Sequence, residues 1–493
     1  MMKQCLLVVV YLCVTISINA QDRSLTLMEC VHEAFDHNLD VRIESYNPLI
    51  AGHRVKSEKG IFDPVVSLSI HKSDSETPLS SATSIAAGGL ETIESEDVKA
   101  DASFQGKIAT GLEYQMNLEY SDSQNTFNQF QSEISGKLGF SIVQPLLKDA
   151  GTANNKVFIR IAQKSKETAD QDFILKVSNL MRDMTRAYWD LVLTREMIAL
   201  RRESLSLAKS LLSDNQRRAS SGLISSLEVD QAQAGVALRE EELIMTLQQQ
   251  SDTQNILKYQ MGLNIREWLE TVIIPLDEPQ SRPIDLVRDV LIEEGLQRRA
   301  VYQKALLEIE KVNLLVKYYR NQLFPRIDLE ASLSANGIEN AFSDLSNELL
   351  GFNKQQWMIG ATLRMPLSRI KDKHQYQISK LQSTQALVQL KRLEQTIALE
   401  IDRAAGHVET YQKSIVASEV TVRFSQKALE AEQKKYDAGM STSYQVLEYQ
   451  EQLLEAKIRH IKALCELEKS IIDLYCYQGK LLEQLGVRID ERQ

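Results

Sequence analysis

The chain carries one tight helical turn twice, as Gln216-Arg-Arg-Ala-Ser-Ser-Gly222 and, 217 residues later, as Gln433-Lys-Lys-Tyr-Asp-Ala-Gly439. Each glycine suits the left-handed cap that ends a helix, because glycine adopts that conformation without steric cost. A capping-box pattern follows in both copies, Ser225-Ser-Leu-Glu228 and Thr442-Ser-Tyr-Gln445. The pattern predicts a helix, a tight turn and a returning helix in each copy.

The duplication extends well beyond these turns. Val143-Gln-Pro-Leu146 resembles Arg364-Met-Pro-Leu367, and Phe62-Asp-Pro64 resembles Phe324-Pro325. A fixed-period array of many small repeats would not show such large, uneven offsets. We therefore predict one large unit present twice, with a first repeat over 21–263, a linker or equatorial region over 264–283, a second repeat over 284–487 and a C-terminal tail over 488–493.

Long helices dominate each copy. Only 20 Gly and 9 Pro interrupt 493 residues. Between 153 and 218 the apolar residues recur at alternating spacings of four and three, which is typical of a coiled-coil seam. We predict long helices over 153–218 and 371–437, each about 100 Å in length. Shorter helices are predicted over 24–59, 225–262, 284–322 and 442–485.

Five stretches switch to strict alternation of apolar and polar residues, which predicts strands. They are Val66–Ile70, Leu112–Tyr120, Leu138–Ile142, Ile327–Leu333 and Trp357–Met365. Such strands fit an antiparallel sheet on a water-soluble core, and they also fit a transmembrane barrel. The pattern leaves no helix to cover the apolar side, and 72–98 has the composition of a polar linker. These features favour a barrel closed by an oligomer.

Composition excludes several classes of function. The net charge of −10 and the absence of basic clusters argue against a nucleic-acid partner. The nearest pattern to a zinc motif, His32-Glu-Ala-Phe-Asp36, has Asp where the last ligand should be and no evident third ligand. We therefore predict no catalytic residue, no metal, no cofactor and no enzymatic activity.

The N-terminus predicts secretion. Lys3 precedes an apolar stretch from Leu6 to Ile18, and Asn19-Ala20 meets polar Gln21. This arrangement is typical of a signal peptide over 1–20, with cleavage after Ala20. The rest of the sequence contains no apolar run of about 18 residues that could form a membrane-spanning helix.

Taken together, these segments resemble the TolC family of outer-membrane efflux proteins. The family-like stretches are Gln144-Pro-Leu-Leu147, Ala187-Tyr-Trp-Asp-Leu191 and Arg202-Glu-Ser-Leu-Ser-Leu-Ala208, with the duplicated glycine turn as the most specific feature. The resemblance covers nearly all of 21–487. It implies an α+β membrane protein. A trimeric outer-membrane β-barrel, with about four strands per protomer, would continue into a long periplasmic α-helical coiled-coil barrel.

The resemblance also implies partners and a docking site. A homotrimer in outer-membrane lipid would act as the passive exit duct of a tripartite efflux or type I secretion system. The inner-membrane pump would act on it only indirectly. A periplasmic adaptor would dock at the helical-hairpin tips, for which the matching positions are Gly222, Leu223, Ser226, Gly439, Met440 and Ser443.

Some alternatives stay open at this point. The first copy has room for an extra hairpin, with a turn near Ala109-Thr-Gly111. That room leaves the strand count per protomer open. A soluble periplasmic coiled-coil scaffold or adaptor would also account for the long helices. The sequence does not identify the exported substrate, the pump or the residues of an entrance gate.

Overall fold

The computed structural model describes residues 21–127, 129–284 and 286–489. The predicted signal peptide lies outside the described residues, as does most of the predicted tail. The chain forms two compact units. The helical unit combines 21–46, 171–303 and 392–489, and the sheet unit combines 47–170 and 304–391.

Thirteen α-helices are assigned within the described residues. They are α1 (Leu27–His37), α2 (Leu39–Lys59), α3 (Ser81–Ala86), α4 (Thr152–Asn155), α5 (Val157–Ser220), α6 (Ser226–Met261), α7 (Ile265–Glu270), α8 (Arg288–Arg298), α9 (Ala300–Gln322), α10 (Phe342–Gly351), α11 (Ile370–Asp437), α12 (Ser443–Gln478) and α13 (Leu481–Gln484). None of these described helices is both long and apolar enough to cross a lipid bilayer.

The described strands form two sheets. They are β1 (Gln21–Leu25), β2 (Val65–Pro78), β3 (Thr92–Lys107), β4 (Glu113–Asn125), β5 (Glu133–Pro145), β6 (Thr271–Pro275), β7 (Arg326–Glu339) and β8 (Gln355–Arg364). A short parallel sheet pairs β1 with β6 in the helical unit. The sheet unit contains one antiparallel sheet of six strands in the order β2-β3-β4-β5-β7-β8.

The long helices are confirmed. α5 has 64 residues and α11 has 68. The single helix predicted over 24–59 is wrong, because extended backbone at Asn38 separates α1 from α2. The Asn38 side chain caps the new helix by accepting hydrogen bonds from the backbone N–H groups of Asp40 and Val41. The helix predicted over 284–322 is divided in the same way at Arg299.

The strand count is the main correction to the sequence prediction. All five predicted strands are present, and the turn predicted near 109–111 joins β3 to β4, with Gly111 at φ +95°. The prediction of about four strands is wrong, because the large sheet has six. The stretch 72–98 is a linker only in part: 72–78 completes β2, 92–98 begins β3, and 79–91 with α3 connects them. The two strands pair from Val65 with Gln105 to Pro78 with Thr92. Ladder hydrogen bonds hold these polar residues in strands although they lack apolar alternation.

The core of the helical unit forms around the predicted coiled-coil seam. Met181, Met184, Tyr188 and Leu191 on α5 are fully buried. The Tyr188 hydroxyl donates a hydrogen bond to the Asp277 carboxylate at 2.7 Å, and the Leu27 N–H donates to the same carboxylate at 2.6 Å. This contact fixes the linker after β6 to the start of α1 and to the middle of α5.

Candidate functional site: a two-faced sheet and paired helical tips

One face of the six-stranded sheet is apolar and exposed. The register places large apolar residues directly opposite one another across all six strands, in a row formed by Val66, Phe104, Met116, Phe140, Leu333 and Trp357. All six side chains are exposed, up to 69% for Trp357. An exposed apolar face of this extent is uncommon on a soluble monomer and is typical of surfaces that meet a membrane or another protein.

The opposite face is polar. The neighbouring row in the register contains Ser67, Ser103, Asn117, Gly139, Ser334 and Gln356. Because successive side chains of a strand point to opposite faces, the two rows lie back to back. The sheet is therefore a wall with one apolar and one polar side.

The two edges of this sheet are complementary. β2 and β8 are the outer strands, and each pairs on one side only among the described residues. Every neighbouring pair in the sheet is antiparallel, so β2 and β8 run in opposite directions. An edge strand presents unpaired backbone N–H and C=O groups. The β2 edge of one copy can therefore pair with the β8 edge of another.

A short helix covers part of the apolar face. Leu345 and Leu349 of α10 pack against Ile134 and Ala335, and all four side chains are buried. The sequence pattern left no helix for this role, because α10 lies in the connection between β7 and β8 and is only 10 residues long. α10 leaves the rest of the apolar face uncovered.

The two glycine turns form exposed tips in the helical unit. Gly222 and Gly439 adopt φ +73° and +75°, as the sequence predicts. Leu223 and Met440, the residues that follow them, are 73% and 74% exposed. Two large apolar side chains are thus exposed at matching positions of the two turns.

The capping predicted at the tips is only partly correct. Ser225 caps α6 by accepting a hydrogen bond from the Leu227 N–H, and Thr442 caps α12 by accepting one from the Gln445 N–H. The reciprocal half of a capping box is formed elsewhere, for example between Thr26 and Glu29. At the second tip the Gln445 side chain instead contacts Ser441.

Polar contacts join the two tips to each other. Arg218 lies 3.3 Å from the Asp437 carboxylate, and its guanidinium stacks over the Tyr436 ring at 4.7 Å. The Tyr436 hydroxyl donates a hydrogen bond to Asn215, and burial raises the pKa of that hydroxyl. The first and second copies are thereby held together beside their turns.

Ser443 differs from the other predicted docking residues. Its side chain is fully buried, and its hydroxyl lies 3.2 Å from the Glu228 carboxylate of the first tip. Ser226 by contrast is exposed. Ser443 therefore lies in the junction between the two tips.

A buried arginine joins α6 to α5 and α12 further along the helices. Arg239 is 4% exposed and donates hydrogen bonds to the Ser204 hydroxyl at 2.9 Å and to the Leu447 carbonyl at 3.2 Å. Its guanidinium lies 3.6 Å from the Glu451 carboxylate. Desolvation lowers the pKa of Arg239 and raises the pKa of Glu451. The sequence pattern missed this contact, because Arg239 and Glu451 are distant in the chain.

The described residues contain no group of three or more side chains arranged to hold a metal ion. His32 is exposed on α1. Glu33, the other central residue of the zinc-like pattern, instead forms a bidentate ion pair with Arg23 at 2.9 and 3.0 Å.

The model of the outer membrane efflux protein family matches residues 97–263 and 291–480. These two segments cover most of the chain and both copies of the repeat. The chain belongs to the outer membrane efflux protein family. The family and the solved structures of the same fold are channel proteins rather than enzymes, and this membership places the chain in the outer membrane.

Individual relatives of this outer membrane efflux protein are distant in sequence. The pyoverdine export outer membrane protein OpmQ of Pseudomonas aeruginosa is 22% identical over 321 residues, which are 63% of this chain and 64% of that relative. The match therefore spans less than two thirds of OpmQ.

Solved channels of the family share the fold over almost the whole chain. The outer membrane channel CmeC of Campylobacter jejuni has a TM-score of 0.67 at 15% identity, over 94% of this chain and 90% of its own. The outer membrane protein VceC of Vibrio cholerae has a TM-score of 0.67 at 16% identity, over 92% of this chain and 96% of its own.

Proposed function

We propose that this outer membrane efflux protein is the passive exit duct of a tripartite efflux or type I secretion system. The observation that carries the proposal is the six-stranded sheet with an exposed apolar face in a chain of this family. In a homotrimer, the sheet units form the outer-membrane barrel and the helical units form the periplasmic tunnel. An inner-membrane pump supplies the energy for transport.

Strand pairing between copies closes the barrel. If β2 of each protomer pairs with β8 of the next, three sheets of six strands give a barrel of 18 strands. Full closure removes every exposed edge, and an even number of antiparallel strands is the rule for single-chain bacterial barrels. The apolar face then meets lipid and the polar face lines the lumen.

The height of the apolar face supports this orientation. On β7 the apolar face extends from Ile327 to Gly337, which is about 33 Å along a strand that rises about 3.3 Å per residue. At a strand tilt of about 40° this corresponds to about 25 Å along the membrane normal, the height of a typical lipid-facing band.

The tips dock a periplasmic adaptor. The exposed Leu223 and Met440, with Gly222, Ser226 and Gly439 beside them, form the docking surface. Ser443 is left out of this surface, because it is buried against Glu228. Two matching tips in each of three protomers would present six contact points to the adaptor.

Membrane fractionation tests the duct. The chain would be expressed with residues 1–20 in a bacterium that has two membranes, and the complex would be extracted from the outer membrane in mild detergent. We expect a mass of three chains of 55.9 kDa, less the cleaved segments. A soluble monomer or dimer in the periplasm would contradict the proposal and favour a coiled-coil scaffold.

Site-specific cross-linking tests the docking surface. A photo-reactive residue at Leu223 or Met440 should cross-link to a periplasmic adaptor identified by mass spectrometry. Ile244 on α6 provides a matched control, because it is 65% exposed but lies away from the tips in sequence. Adaptor cross-links that were as strong from position 244, or absent from both tips, would reject docking at the tips.

A further inference from the structure

α10 packs on the apolar face of the sheet above two glycines. Gly136 on β5 and Gly337 on β7 lie directly opposite each other in the register. A Cβ atom at these positions would lie 2.9 and 2.8 Å from the Leu345 methyl groups. A larger residue would require Leu345 or the helix itself to shift, so the two glycines let α10 lie close against the strands.

The two flanks of α10 differ in polarity. Phe342 and Leu350 lie on one flank and remain 65% and 74% exposed. The other flank carries Asp344 and Glu348, and Glu348 forms an ion pair with Lys354 at 2.6 Å. Phe342 packs edge-on against Tyr120 at 5.8 Å between ring centroids, and both Phe342 and Leu350 still leave most of their apolar surface exposed.

α10 also lies at a boundary on the face that it covers. Toward the start of β7, the face carries the apolar row that includes Phe140 and Trp357. Toward the β7–β8 connection the same face becomes charged: Asp122 on β4 and Glu339 on β7 flank Ile134 in one row, and Glu96 lies on β3. The helix therefore marks the level at which the apolar band ends.

We propose that α10 is an interfacial helix that rests in the outer leaflet of the membrane. Its apolar flank, with Phe342 and Leu350, contacts acyl chains, and its charged flank faces the lipid headgroups. The inference rests on the proposed function, which directs the apolar face toward lipid. The lipid surface is the occupant because Phe342 packs against Tyr120 on the face that carries the apolar band, and the charged row with Asp122 and Glu339 lies beyond it. α10 follows the end of β7 that is distant from α9, which places it in the outer leaflet.

Depth-dependent fluorescence quenching tests this inference on the purified full-length trimer. An environment-sensitive fluorophore would be attached to Leu350→Cys, and to Asn347→Cys as a matched position on the polar side of the same helix. The background would carry Cys476→Ser, because Cys30 and Cys465 are buried and inaccessible to the label. The probe is a nanodisc of phosphatidylcholine with bromine on its acyl chains, compared with unbrominated lipid.

The same fluorophore attached to Ile359→Cys and to Met358→Cys on β8 calibrates the measurement. Ile359 is 70% exposed on the apolar face, and Met358 is 52% exposed on the opposite face. We expect bromine to reduce the fluorescence about twofold at Leu350 and at Ile359, with little change at Asn347 and Met358.

The outcomes separate the two proposals. Quenching at Ile359 but no more at Leu350 than at Asn347 would overturn the interfacial helix and leave the duct intact. Equal quenching at Ile359 and Met358, or none at either, would contradict the lipid-facing orientation itself, and the inference on α10 would fail with it.

Discussion

Two glycines with the same backbone conformation should tolerate substitution differently. Gly262 and Gly222 adopt φ +72° and +73°. A Cβ atom at Gly262 would lie 2.6 Å from the backbone carbonyl oxygen of His37, whereas nothing lies within 4 Å of a Cβ at Gly222. Gly222→Ala should cost about 1 kcal/mol for the left-handed conformation alone. Gly262→Ala should cost about 2 to 4 kcal/mol, because the backbone must also move.

The apparent Tm of the purified complex checks this difference. Gly222→Ala should lower it slightly and Gly262→Ala clearly more. Equal shifts for the two variants would show that the contact between the end of α6 and the junction of α1 with α2 is not tightly packed.

Glu451 should make the helical unit more stable at mildly acidic pH. Desolvation raises the pKa of Glu451 in the folded chain. The folded state therefore binds this proton more readily than the unfolded state, so stability from this group rises as the pH falls from 7 toward 5. Glu451→Gln removes the titrating group and should reduce that gain, as measured by thermal unfolding at both pH values. Glu448→Gln, at an exposed position on α12, is the control and should leave the pH dependence unchanged.

At the scale of the strand, neighbouring residues should differ sharply in what they tolerate. Ile359 and Met358 are adjacent on β8, and both are exposed in the isolated chain. A lysine on the lipid side of a barrel costs about 2 to 4 kcal/mol at the middle of the bilayer, whereas a lumen position tolerates charge. Ile359→Lys should therefore reduce the amount of trimer in the outer-membrane fraction, and Met358→Lys should not. If both variants assembled equally well, the apolar face would not meet lipid.

The elements that sequence periodicity predicts are those with an apolar stripe. The coiled-coil seam of α5 and the alternation in β8 are visible because one side of each element carries apolar residues. The distal half of β2 has no such side, since Ser73, Ser75 and Glu76 lie beyond the apolar band. Its strand conformation comes from pairing with β3, which local periodicity does not report.

At the scale of the whole molecule, the strand number should set the barrel width. For strands about 4.8 Å apart and tilted by about 40°, 18 strands give a radius of about 18 Å and 12 strands about 12 Å. The strand register shows how a barrel of 18 strands could be shortened to 12. Val66 and Phe140 occupy the same row, so β5 can take the place of β3 beside β2 without exchanging the two faces.

We predict that replacing 73–133 by an Asn-Gly turn yields a trimer with four strands per protomer and a narrower barrel. The helical unit lies outside the deleted segment and should be unchanged. Cryo-electron microscopy of both trimers, with the strands counted in each map, checks the prediction. A barrel of 12 strands in the unmodified trimer would show that β2 and β3 do not belong to the wall.

The sequence alone determined the family, the duplication, the two long helices, the glycine turns and five of the six strands of the large sheet. Apart from the duplication itself, each of these depends on residues close together in the chain, as in the four-and-three spacing before Leu191 or the left-handed glycines at 222 and 439. Only the tertiary structure decided the strand β3, the packing of α10 on the sheet, the break at Asn38 and the burial of Ser443. These depend on partners distant in the chain: β3 on the ladders beside it, Leu345 on the opposed glycines 136 and 337, and Ser443 on Glu228. Pairing of that kind leaves no periodic signal, because the residues that decide it lie in another element.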